Sequence, residues 1–106
     1  MGKFLFTGTY TLDGRRNVAT EGGTARAEAV SALCAALGGS VESMHFRVDH
    51  DDFVIIADMP DSVSTAAAKT IVTNTGTINA EAVPLLTPEE MDHACKITAD
   101  FRPPGS

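Results

Sequence analysis

The stretch VESMHFRVDHDDFVIIA, residues 41–57, holds two strands and the turn between them. From Val41 to Val48 the residues alternate, placing Met44, Phe46 and Val48 on one side and Ser43, His45 and Arg47 on the other, the period of an extended strand. Asp49-His50-Asp51-Asp52 follows as an acidic turn, since Asp side chains bond their own backbone and interrupt regular ladders. Phe53 to Ala57 is apolar at every position, the pattern of a strand that needs cover on both faces.

On the N-terminal side, KFLFTGTYT (3–11) is aromatic and Thr-rich and reads as a first strand. Leu12 to Asn17 reads as a turn-rich loop around Gly14, and Thr24 as the N-cap of a helix. In that helix Ala27, Val30, Leu33, Cys34 and Leu37 share one face, and Gly38-Gly39 closes it. On the C-terminal side, Pro60-Asp61-Ser62 opens an Ala-rich helix over 62–74, ended by Asn74-Thr75-Gly76. TINAEAV (77–83) alternates as a fourth strand, and Thr87-Pro88-Glu89-Glu90 combines an N-cap, a first-turn Pro and a Glu three residues on. The helix it starts is expected to run to about Ala99.

The order β-α-β-β-α-β-α predicts an α+β chain of ferredoxin-like βαββαβ plan, a four-stranded antiparallel sheet with a C-terminal helix. Residues 1–100 form the one expected domain and 101–106 a flexible tail. Right-handed crossovers put both long helices on one face of the sheet and leave the other bare. Because the Phe53–Ala57 strand is apolar on both sides, a homo-oligomer, most simply a dimer, is expected to cover the bare face.

The chain has 106 residues, with 14 acids against 8 bases and a net charge of -6. That balance argues against nucleic acid and against anionic membrane surfaces, both of which select clustered Lys and Arg. With no Trp and aromatics at 6%, a stacking platform for bases is not expected either. Cys34 and Cys95 both fall in helical patterns and read as buried, reduced thiols. No leader-like segment or apolar run of about 20 residues is found, so a cytoplasmic location is the default.

Two groups carry possible chemistry. His45, Asp49, His50, Asp51 and Asp52 are metal-ligating types, but the Asp49–Asp52 run lacks the Gly and the spaced acids of a Ca²⁺ loop. A solvated turn is the preferred reading, with no metal and no cofactor. The second group surrounds a small-molecule pocket between sheet and helices. His45 is the candidate general base, Asp52 the carboxylate to orient it, and Tyr10 the donor to a developing oxyanion. Arg47, of the same strand parity as His45, and His50 are the candidate substrate-binding residues. Each has a plainer alternative: an interface histidine, an edge tyrosine, a surface charge. His93 and Cys95 lie two apart on a helix, face different ways and make no nucleophile pair.

Tyr10-Thr11-x-x-Gly14-x-x-Asn17, Arg26, Leu37-Gly38-Gly39, the segment Asp49 to Ile56, Pro60-Asp61 and Thr87-x-x-Glu90 are spaced as in the GYD-domain family of small bacterial proteins. The chain resembles that family over roughly residues 4–95. The family's Gly-x-Tyr-Asp reads Asp49-His50-Asp51-Asp52 here, so only Asp52 matches. The resemblance implies a ferredoxin-like fold assembling as a dimeric α/β barrel. Related barrels include cofactor-free monooxygenases, isomerases, cyclases and haem-degrading enzymes. The function expected is therefore cofactor-independent acid/base chemistry on a small organic metabolite; the alternative is a ligand-binding or assembly module with no reaction of its own.

Overall fold

Strand pairing follows the alternation of the sequence. In the computed structural model, which describes residues 2–105, β1 (Gly2–Tyr10), β2 (Ser40–Phe46), β3 (Phe53–Met59) and β4 (Ile78–Leu85) form one antiparallel sheet in the order β2-β3-β1-β4. Helices α1 (Leu12–Glu21) and α2 (Gly23–Ala36) connect β1 to β2, α3 (Ser62–Thr73) connects β3 to β4, and α4 (Pro88–Cys95) follows β4. The order of strands and helices is the ferredoxin-like α+β plan expected from the sequence.

The core lies on one face of this sheet. Phe53, Ile55, Ala57 and Met59 of β3 are buried there with Phe4 and Phe6 of β1 and Ala80 of β4. Val30, Leu33, Cys34 and Leu37 of the α2 stripe, with Ala68 and Val72 of α3, pack onto them. The register that pairs Phe6 with Ile55 also pairs Leu5 with Ile56 and Val83. Leu5, Val54, Ile56 and Val83 therefore share the opposite face, away from α2 and α3, where they are part-buried or exposed. Lys3 borders this open face, bonded to Glu42 at 2.7 Å and to Asp58 at 3.2 Å. A β-bulge between Val41 and Ser43 keeps Met44 and Phe46 facing the helices, opposite Ile55 and Phe53.

Several local expectations are corrected. Residues 12–17 are not a loop; they begin α1, where the Thr11 hydroxyl accepts the Gly14 N–H at 3.3 Å. Gly14 is there for space, because a Cβ would collide with the Thr77 carbonyl oxygen. Thr24 is not an N-cap: α2 starts at Gly23, and Gly22, with φ +88°, turns the corner from α1. β1 and β2 each end short of the expected Thr11 and Val48, while β4 continues through Pro84 to Leu85, which an edge strand permits. Helix α4 stops at Cys95 rather than Ala99. The Lys96 N–H bonds back to the His93 carbonyl and the Ile97 N–H to that of Ala94, both at 3.1 Å, tightening the last turn where no neighbour supports a further one. Cys34 is buried, as expected of both thiols, but Cys95 on α4 is exposed.

Candidate functional site

Between the covered face of the sheet and helices α2 and α3 lies a cavity of about 80 Å³. Its wall is mostly carbon, from Phe6, Phe53 and Ile55 of the sheet, Val30 and Leu33 of α2, and Val72 of α3. The phenol of Tyr10, the guanidinium of Arg26 and the Cys34 thiol are the polar side-chain groups on it. Tyr10 has the strand parity of Phe6 and ends β1, so its ring faces the helices and lies 5.4 Å from that of Phe53, tilted by 49°. Arg26 stands one turn before Val30 on the apolar stripe of α2 and also bonds Glu21 at 3.3 Å.

Burial raises the Tyr10 phenol above its ordinary value; the Arg26 charge opposes the rise and the Asp52 carboxylate adds to it. The phenol is thus held as a neutral donor beside a permanent cation. Tyr10 is the one tyrosine in a chain without tryptophan, so its ultraviolet titration reports a single group. Its midpoint is expected above the free-phenol value of about 10. In Arg26→Ala it moves higher still, because the charge favouring phenolate is gone. The sign follows from linkage. A raised phenol contributes stability present below pH about 10 that is lost as pH climbs through the folded-state value. A midpoint at or below the free value would contradict the buried placement.

Asp52 uses its main chain and its side chain alike. Its N–H donates to the Gly8 carbonyl at 2.8 Å, and its carbonyl accepts from the Arg47 N–H at 2.9 Å. Its carboxylate accepts the Tyr10 N–H at 2.8 Å and an Arg15 N–H at 3.1 Å. The Tyr10 bond, reinforced by Arg15, holds its carboxyl below the usual range. It is therefore a clamp between β1, α1 and the hairpin rather than a partner for an imidazole.

The candidates divide between different surfaces. Tyr10 and Asp52 meet, through the Tyr10 backbone. His45, opposite Val54 on β2, lies exposed on the open face, across the sheet from the cavity. Arg47 is turned into the hairpin, bonded to Asp49 at 2.5 Å and Asp51 at 2.9 Å, which holds Asp49 more acidic than usual. His50 stands at the tip, 79% exposed, with Asp49 at 3.5 Å and Asp51 at 3.8 Å. Among the described residues no three His, Cys, Asp or Glu side chains converge as metal ligands. Arg26 was not among the expected site residues. Its signal in the sequence is a lone cation at helical spacing from Val30 and Leu33.

The fold and cavity define a class: a ferredoxin-like α+β domain with a small apolar chamber, bearing a phenol and a guanidinium, between sheet and helices. The family model of the GYD domain matches residues 4–95, most of the chain, and the protein belongs to that family. No curated protein and no solved structure matches it.

Proposed function

We propose that this GYD-domain protein binds a small organic molecule with an apolar body and a carboxylate or carbonyl head in the sheet–helix cavity. The observation that carries the reading is that Tyr10 and Arg26 both line an otherwise nearly apolar wall, with the Arg26 charge close enough to act on the phenol. The apolar lining takes the body of the ligand, and the two donors orient its oxygen. At about 80 Å³ the space suits a few carbon atoms, well below the roughly 300 Å³ of a typical ligand site. Helices α2 and α3 therefore move apart slightly for anything larger.

Butyrate, hexanoate and benzoate, with the matching alcohols as controls, are the probes. Tyr10 fluorescence is expected to change saturably with the acids, and Arg26→Ala to weaken their binding about tenfold or more, as loss of a charge-assisted hydrogen bond does. No saturable change with any acid, or equal binding of the alcohols, would overturn the reading.

A cofactor-independent reaction in the same cavity is the second reading. What favours it is that a neutral phenol beside a guanidinium is a donor set suited to a developing oxyanion. Tyr10→Phe separates the two when binding is followed by calorimetry, since the variant has no tyrosine: the Arg26 contribution to probe binding remains, while a donor that turnover needs is gone.

A further inference from the structure

The cavity has two unlike ends. At one, Tyr10 of β1 pairs with Ile78; at the other, Phe6 pairs with Ile55, and Ile55 with Met44. At about 3.3 Å per residue of β1, these rows lie about 13 Å apart. Helix α2 runs along the same line. Its start lies near the Tyr10 end, where a Cβ on Gly23 would come to 2.9 Å from the Phe46 ring, and Phe46 stands opposite Phe53. Past its end, a Cβ on Gly39 would meet the Asp58 carbonyl oxygen and come to 2.7 Å from the Met59 sulfur. Arg26 therefore belongs to the Tyr10 end and Cys34 to the Phe6 end, about 12 Å apart along the helix axis.

The ends also differ in depth. Arg26 keeps 26% of its side chain exposed, which makes its end the mouth. Cys34 is 4% exposed, and Ala57 and Met59, the next inward-facing residues of β3 beyond Ile55, are fully buried. The chamber is thus a slot with a cationic mouth and a sulfur floor. Burial raises the Cys34 thiol above its ordinary value, so the floor is uncharged at neutral pH. A carboxylate lodged there would be buried without a partner, which leaves one direction of entry.

We infer that this slot takes an unbranched aliphatic monocarboxylate of about five carbons, its carboxylate at Arg26 and Tyr10 and its last carbon against the Cys34 sulfur, which sets the chain length accepted. This orientation rests on the ligand reading proposed for the same cavity and adds direction and length to it. Of the span of about 12 Å, a hydrogen bond to the carboxylate takes about 3 Å and the methyl–sulfur contact about 4 Å, leaving about four carbon–carbon steps of about 1.3 Å each. A volume of about 80 Å³ drawn out between the two ends has the width of a single chain, so branched acids are excluded.

Cys34 makes the geometry measurable, because in Cys95→Ser it is the one thiol left. Carboxyalkyl methanethiosulfonates with chains from two to ten methylenes are the probes. The Cys34 thiolate attacks their sulfenyl sulfur, a disulfide forms, methanesulfinate leaves and the thiol proton passes to solvent. Labelling, followed by intact mass, is expected to be fastest at about four methylenes, at least about tenfold faster than with the neutral methyl reagent, because the anchored carboxylate holds the sulfur at the thiol. The rate should saturate with reagent, fall when pentanoate is added, and lose its length optimum in Arg26→Ala. Calorimetry with free acids from propanoate to octanoate should give the tightest binding near pentanoate, and in Cys34→Ala the optimum should lengthen by about one carbon. Labelling needs no change inside the cavity, so it decides even where Cys34→Ala does not fold. If no acid binds by calorimetry, the ligand reading falls and this orientation with it. If acids bind but Cys34 fails to label, or labels without a length optimum, or Cys34→Ala keeps the same preferred length, the orientation alone is overturned.

Discussion

Gly8→Val is expected to destabilise the fold by about 3 kcal/mol or more, among the largest effects open to one substitution. Gly8 is buried in β1, a central strand hydrogen-bonded on both sides by β3 and β4. A Cβ there would run into the Asn79 carbonyl oxygen, come to 2.7 Å from the Phe53 ring and to 3.0 Å from the Ala80 Cα. Two of those three neighbours are backbone atoms of β4, which yield only if the ladder itself opens. The Gly8 carbonyl also receives the Asp52 N–H, so the hairpin clamp loosens with it. At 4–8 °C per kcal/mol for a domain of this size, thermal unfolding by circular dichroism should show a midpoint roughly 12 °C lower or more. An unchanged midpoint would mean that β1 and β4 stand farther apart than described.

Phe53→Ala is the second large effect, with an expected loss of about 3–5 kcal/mol. Phe53 is 5% exposed and lines both the core and the cavity. Its removal deletes apolar burial, abolishes the ring contact with Tyr10, and leaves a void beside a chamber that is already partly empty. The enlarged space cannot be refilled by a shift of the backbone, because β3 is held by β2 and β1 on either side. The denaturant midpoint should fall with little change in slope. A loss under about 1 kcal/mol would show that the Tyr10 or Phe46 ring collapses into the gap. Where the variant still folds, benzoate should gain on butyrate, because the void opens directly into the cavity.

The sheet was legible because β3 breaks the usual alternation: Phe-Val-Ile-Ile-Ala needs burial on both sides, and a hairpin with two crossover helices is the arrangement that supplies one covered face. The helix α1 was not legible, because Gly14, Asn17 and Gly22 carry the composition of a turn. What decides Gly14 is a carbonyl at Thr77, far away in sequence. The same limit governs the site. The strand patterns predict Tyr10, His45 and Arg47 around one pocket, yet which face each occupies depends on the pairing of β1, β2 and β3 and on the bulge near Val41. That pairing puts Tyr10 with the helices and His45 on the open face. Arg47 was readable as a cation near a strand, but its engagement by Asp49 and Asp51 comes from the shape of the loop. Arg26 stood in plain view as an isolated charge on an apolar stripe, and its meaning needed the cavity.

The clamp at Asp52 has a consequence for how this hairpin tolerates change. Its joinery is concentrated in the last of the four residues, which ties the end of β1, the first turns of α1 and the strand behind it. The described contacts of the Asp49, His50 and Asp51 side chains are with Arg47 and with one another. The tip residues can therefore change while the Asp52 bonds that seat Tyr10 and Arg15 stay in place. Tip and root are separable, and a substitution at Asp52 would be felt in the cavity through the Tyr10 N–H although Asp52 does not line it.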